Sequence, residues 1–180
     1  MILFSFNIRG LGDDPKFLAL KCVFAVIKPD IVFIQETMAD SAKACHCFLK
    51  IFPGWEVCVV DYQGHSGGLL CIWNPYVVYF VSYSSFAGII LEGNIKGFDE
   101  RVVFLNCYSP YKDQEPFWKR VVDCGLLQEI YMIIGGDLNF TVSPSEIWGS
   151  KRNDPLASFL SDVFHNFGLE DDWPIPLEPT

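Results

Sequence analysis

At 180 residues the chain suits one domain with a substantial buried core, and its 51% hydrophobic content, with 16 Phe and 5 Trp, predicts an aromatic interior and some apolar surface left in water. A formal charge of −9 argues against strong non-specific affinity for nucleic acid, which depends on Lys and Arg releasing counterions, yet leaves a metal-bridged phosphate open. Asn7, Arg9, Lys21, Lys28 and Asp30 interrupt the hydrophobic N-terminal stretch, so no membrane span is expected, and with no signal-peptide pattern the chain is expected to stay inside the cell.

The first apolar run, Ile2 to Phe6, reads as a strand ending at Asn7, followed by the loop Arg9-Gly10-Leu11-Gly12. Pro15 opens a helix in which Phe17, Leu20, Phe24 and Ile27 share a face, and Pro29 stops it. Strand Ile31 to Gln35 follows, and Asp40 is placed to cap a second helix carrying Phe48 and Ile51 inward. From Trp55 to Tyr108, five β-rich runs (Trp55–Val60, Leu69–Trp73, Val77–Tyr83, Ile89–Ile95, Arg101–Tyr108) separated by turns read as an antiparallel meander. A helix is then expected over about Gln114 to Leu127, a strand over Tyr131 to Ile134, and a last helix from near Pro155. That helix carries an apolar stripe of Leu156, Phe159, Leu160, Val163, Phe164 and Phe167, closed by Gly168. The order predicts an α/β (α+β) fold, two mostly antiparallel sheets packed face to face with helices outside.

Chemistry gathers where strands end. Glu36 follows one buried run and Asp137 another, so each acid avoids full burial while the sheet fixes it, as a divalent cation or an attacking water requires. Taken alone, each fragment has a plainer use. An acid after a strand is commonly a solvated loop residue, Gly135-Gly136-Asp137-Leu138-Asn139 is also a turn composition, Asn7 can satisfy local backbone, and Tyr108 can be a core ring with a wet hydroxyl. His65 fits a hairpin loop and His165 the flank of the last helix. The seven cysteines are odd in number and dispersed, which fits free thiols in a reducing compartment. Cys45-His46-Cys47 lacks a second cluster and reads as structural.

The ordered series is more informative than its parts. Asn7-Ile8-Arg9-Gly10-Leu11-Gly12, Gln35-Glu36-Thr37, Ser66-Gly67-Gly68-Leu69, Asn106-Cys107-Tyr108-Ser109-Pro110 and Gly135-Gly136-Asp137-Leu138-Asn139-Phe140 together resemble the endonuclease/exonuclease/phosphatase family, most closely the endonuclease domains of plant non-LTR (LINE-type) retrotransposons. The resemblance implies a four-layer α/β/β/α sandwich. It also implies Mg²⁺, with Mn²⁺ as a substitute, held by Glu36 with Asn7 beside it. Asp137 would orient or deprotonate water, Asn139 and Tyr108 would contact the phosphate, and Arg9 would lend local positive charge, as would Lys112, Lys151 and Arg152. DNA is the implied partner and the nucleus the implied location.

Relatives continue with further strands bearing another metal-side Asp and a terminal Ser-Asp-His, which nothing after Asp172 supplies; Ser161-Asp162 lies in a helix with no such His following. The sequence therefore leads us to expect a domain over residues 1–169 missing its last strands, then an irregular acidic, Pro-rich tail over 170–180. Lost donors would leave roughly 10⁻⁴ to 10⁻⁷ of family-level activity, and an uncovered sheet edge would invite a protein partner or self-association. Three functions follow: a nicking phosphodiesterase, a non-catalytic binding remnant, and a phosphatase of small phosphate esters.

Overall fold

The computed structural model describes residues 1–12, 14–63, 66–141 and 154–171. These fall into two compact units, Met1–Ser109 with Glu129–Leu138, and Pro110–Gln128 with Asn139–Thr180. His65, Lys151 and Arg152 and most of the acidic tail lie outside the described residues.

The first unit holds both sheets. Strands β1 (Leu3–Asn7), β2 (Ile31–Gln35), β3 (Glu56–Gln63) and β4 (Ser66–Trp73) form one in the order β1-β2-β4-β3. Strands β5 (Val78–Ser85), β6 (Gly88–Ile95), β7 (Arg101–Tyr108) and β8 (Met132–Asp137) form the other, in chain order. Each sheet has two antiparallel pairings and one parallel pairing, β1 with β2 and β7 with β8. The expected meander is thus divided: β3 and β4 join the first sheet, and Asn74-Pro75 carries the chain into the second. Five consecutive hairpin strands can be read from turn chemistry, but which sheet each joins depends on the faces they bury.

Strand β2 is buried along its whole length, which suits its unbroken apolar run. Ile31 and Phe33 face the second sheet, where they pack with Leu91, Val102 and Phe104; the rings of Phe33 and Phe104 meet edge to face at 6.5 Å. Val32 and Ile34 face outward beneath helices α1 (Asp14–Ile27) and α2 (Ser41–Leu49), packing with Leu20, Phe24, Ala44 and Phe48. Helix α1 buries Leu20 and Phe24 of the stripe its spacing predicts, leaves Phe17 and Ile27 half-buried, and ends through Lys28 (φ 52°) ahead of Pro29. Helix α2 begins as expected, the Asp40 carboxylate accepting from the Lys43 N–H at 2.8 Å.

In the second unit, helix α3 covers Gln114–Asp123 rather than reaching Leu127. Gly125, at φ 77°, ends it, and Leu126–Gln128 form a short 3₁₀ turn. Helix α4 (Ala157–Phe167) buries Leu160 and Val163, and Gly168 closes it in the left-handed conformation, its N–H donating to the His165 carbonyl. The rings of Trp118, Phe140 and Phe164 form a chain of contacts within this unit.

All seven cysteines are free thiols, but only Cys71 and Cys107 are buried; Cys22 and Cys124 are exposed.

Candidate active site

The two parallel strand pairs place four side chains together at one rim of the sandwich. Asn7 ends β1, Glu36 follows β2, Tyr108 ends β7, and Asp137 ends β8 in register with Tyr108. The Asn7 side-chain amide donates to Glu36 Oε1 at 2.9 Å and to Asp137 Oδ2 at 2.7 Å. The Tyr108 hydroxyl donates to the same Glu36 oxygen at 3.1 Å. Asn7 Oδ1 accepts the Arg9 backbone N–H at 3.1 Å, which fixes the amide with its NH₂ toward the carboxylates. Arg9 thus enters through its backbone, and its side chain is exposed.

Alternation along β2 would aim residue 36 at the helices, the side to which Ile34 points. A left-handed backbone at Glu36 (φ 53°) turns the carboxylate to the rim instead, a conformation that costs a non-glycine residue about 1–3 kcal/mol. Neighbouring backbone holds the turn: the Gly10 N–H donates to the Glu36 carbonyl at 2.7 Å, and Leu11 and Ile8 donate to Thr37 and Gln35. On the other side, Thr37 and Met38 donate to the carbonyls of Gly68 and Gly67. A Cβ on Gly68 would lie 2.3 Å from the Thr37 hydroxyl, so Ser66-Gly67-Gly68-Leu69 contributes close backbone approach.

Gly136 plays the matching part in the second sheet. The two glycines lie within β8 and not in a turn after it, and a Cβ on Gly136 (φ 122°) would lie 1.9 Å from the Cys107 carbonyl oxygen. The Ser109 N–H then donates to the Asp137 carbonyl at 2.9 Å, locking the strand end that carries the acid.

Glu36 is 6% exposed, and among the described residues no cationic side chain pairs with it. A buried carboxylate beside a second one calls for positive charge. The atoms able to ligate a cation here are carboxylate, amide and hydroxyl oxygens, which are hard ligands unlike the nitrogen and sulfur of a zinc site. One or two carboxylates with water and substrate phosphate completing the shell is the pattern Mg²⁺ prefers, so the residues present fit the hard cation that the sequence resemblance implies. Burial, reinforced by the Asp137 carboxylate, pushes the Cys107 thiol up to about 12.

The sequence pattern of the endonuclease/exonuclease/phosphatase family matches residues 4–179. The chain belongs to that family. No curated protein matches it in sequence. Among solved structures it is similar to the endonuclease domain of TRAS1, a telomere-specific non-LTR retrotransposon. The TM-score is 0.65 at 17% identity, over 92% of this chain and 71% of that one. It is also similar to the 3′ phosphatase NExo from Neisseria bound to product DNA hairpin (TM-score 0.62, 16% identity, 91% and 70% coverage). A third likeness is to D. rerio TDP2 complexed with single strand DNA product (0.55, 20% identity, 77% and 60%). The chain therefore spans between 60% and 71% of the length of these three structures. At such identities the likeness establishes the family's fold, in which the described residues form two four-stranded mixed sheets and four α-helices.

The sequence-derived residues Asn7, Glu36, Tyr108 and Asp137 are thus brought into one hydrogen-bonded group. Asn139 belongs to the second unit, where, at φ 52°, its carbonyl accepts from the Gln114 side chain. Sequence reasoning gave no role to Lys16, whose ammonium donates to the carbonyls of Ile8, Arg9 and Gly10 at 3.0–3.2 Å and so holds the loop after Asn7. It also gave none to the buried amides Gln35 and Asn106, although a polar residue closing each apolar run was a visible signal.

Proposed function

We propose that this chain forms the catalytic portion of a Mg²⁺-dependent phosphodiesterase of the nicking-endonuclease kind, derived from a non-LTR retrotransposon of the plant LINE type and acting on DNA in the nucleus. The observation that carries this reading is the Asn7 amide bridging two carboxylates from different sheets, one of them buried with no cationic partner among the described residues. The likenesses to a retrotransposon endonuclease and to two proteins with DNA products support the substrate class. Mn²⁺ is expected to substitute.

The parts that the sequence resemblance implies are compatible with these positions. Glu36 presents the cation-holding oxygens, and Asn7 keeps Glu36 and Asp137 from separating under mutual repulsion. A bound Mg²⁺ would polarise a phosphoryl oxygen and offset developing negative charge. Asp137, with its backbone anchored by Ser109, is the base that orients and deprotonates the attacking water. Tyr108 carries the one hydroxyl donor of the group and can turn from Glu36 to a phosphate oxygen. Asn139 and Arg9 are assigned to the phosphate on the sequence resemblance.

The test is nicking of supercoiled plasmid by folded protein in Mg²⁺, in chelator, and with Glu36→Gln or Asp137→Asn. Metal-dependent nicking that is weak and is lost in either variant is expected. Nicking that survives chelator, or is unchanged in both variants, overturns the assignment. Small phosphomonoesters assayed in parallel separate a phosphatase from a phosphodiesterase, and binding of DNA without cleavage would favour the non-catalytic reading.

A further inference from the structure

One layer beneath the rim, the apolar stripes of β2 and β7 both end in a buried amide. Gln35 is 1% exposed and Asn106 0%, and Gln35 Nε2 donates to Asn106 Oδ1 across the gap between sheets at 2.7 Å. The same nitrogen donates to Ser5 Oγ of β1 at 3.2 Å. Asn106 Nδ2 in turn donates to the carbonyls of Leu70 on β4 at 3.1 Å and Ile34 on β2 at 3.4 Å. The stripes below are hydrocarbon and aromatic, Ile31 and Phe33 against Val102 and Phe104, so a Leu pair would have continued the core at no loss of burial.

We infer that Gln35 and Asn106 are positioning residues that set the separation of the two sheets at the rim and so hold Glu36 and Tyr108, and with them Asn7 and Asp137, at cation-binding spacing. Each neighbours a site residue: Gln35 immediately precedes Glu36, and Asn106 lies two positions before Tyr108 on the same face of β7. Gln35 also pairs in register with Asn7, and Asn106 with Gly135, two positions before Asp137. An apolar contact between sheets can slide by a rotamer at little cost, whereas a buried amide pair is held by directional bonds whose loss orphans its polar atoms. The site needs that discrimination because its two carboxylates repel each other.

The inference rests on the proposed cation site, but its first readout does not require a metal. In the double variant Gln35→Met/Asn106→Leu both amides are replaced by groups of similar shape, which leaves no orphaned buried donor. Cooperative unfolding is expected to persist. In the metal-free protein, exchange of the Asn7 side-chain NH₂ protons, followed by NMR, is expected to rise about tenfold or more. Mn²⁺ affinity is expected to fall roughly 10–100-fold, the usual effect of losing a group that orients a ligand. The transposed pair Gln35→Asn/Asn106→Gln, which rebuilds an amide bridge of the same total length, is expected to recover much of both. A folded double variant with unchanged Asn7 exchange overturns the inference, whatever its Mn²⁺ affinity. If the double variant does not fold, the natural protein decides. The Gln35 and Asn106 side-chain protons must then exchange only through global opening, and exchange as fast as at Asn7 overturns the inference. Natural protein that binds no Mn²⁺ defeats the proposed function instead, while the exchange result still stands or falls independently.

Discussion

Asn7 spends nearly all of its hydrogen-bonding capacity inside the site, two donors on carboxylates and its oxygen on the Arg9 N–H. Asn7→Asp replaces both donors with a third negative charge. In chelator it should lower stability by about 1–3 kcal/mol, the cost of orphaning buried polar partners, and added Mn²⁺ should restore more of that loss than in Asn7→Ala, because the new carboxylate is itself a ligand. Thermal unfolding with and without Mn²⁺ measures both, and an Asn7→Asp protein as stable as the natural one in chelator would refute the bridge. Gly136 is constrained by backbone rather than charge. A methyl group 1.9 Å from the Cys107 carbonyl, at φ 122°, forces β7 and β8 apart one register position before Tyr108 and Asp137. Gly136→Ala is therefore expected to cost more than about 3 kcal/mol, read as a shift in denaturant midpoint, and a loss under 1 kcal/mol would mean that β8 can relax without strain.

Among the elements, the outer face of the second sheet carries a polar ladder in which the Tyr83 hydroxyl and Arg101 both donate to Glu92, with Arg101 also near Glu129. The Arg101 hydrogen bond, followed by that of Tyr83, holds the Glu92 carboxyl below its ordinary value of 4.5. A lowered folded value means a contribution present above the unfolded value and lost as pH falls through the folded one. Arg101→Met should therefore differ from the natural protein near neutral pH by a small amount, since the side chains are partly solvated, and the difference should vanish in acid below pH 4.5. Equal denaturant midpoints at every pH would show the ladder to be idle. Elements of this kind mark what the sequence discloses. The cap at Asp40, the stop at Pro29 and the closing Gly168 are local chemistry, and each stands where it was expected. The four rim residues were also legible, because each ends an apolar run. The partition of five hairpin strands between two sheets was not, since it depends on burial, and neither were the role of Gly135-Gly136 inside a strand and the Gln35–Asn106 bridge, which join segments 71 positions apart.

At the scale of the whole molecule, among the described residues no helix is long and apolar enough to cross a membrane, yet apolar side chains do meet solvent. Ile130, Tyr131 and Ile133 are exposed along the approach to β8 and line a groove of about 330 Å³ with Phe98 and Val102. The thiols report on the fold as a unit. Cys22 and Cys124 are exposed and should react rapidly with a thiol reagent near pH 8. Cys71 and Cys107 are buried, and burial pushes both thiols upward, Cys107 to about 12. With folded values raised, their neutral forms suit the native state below the ordinary value of 9.0, and ionisation would begin to oppose folding only above it. At pH 8 they should therefore react only when the molecule opens, so their labelling rate measures the population of opened molecules. A cation that binds the native site and not the unfolded chain must reduce that population by mass action. Mg²⁺ at one hundred times its dissociation constant stabilises by about 2.7 kcal/mol, a slowing of roughly 100-fold for Cys71 and Cys107 with Cys22 and Cys124 unaffected. Slow-thiol labelling indifferent to Mg²⁺ would mean that no cation is coupled to the native fold, whatever the rim geometry suggests.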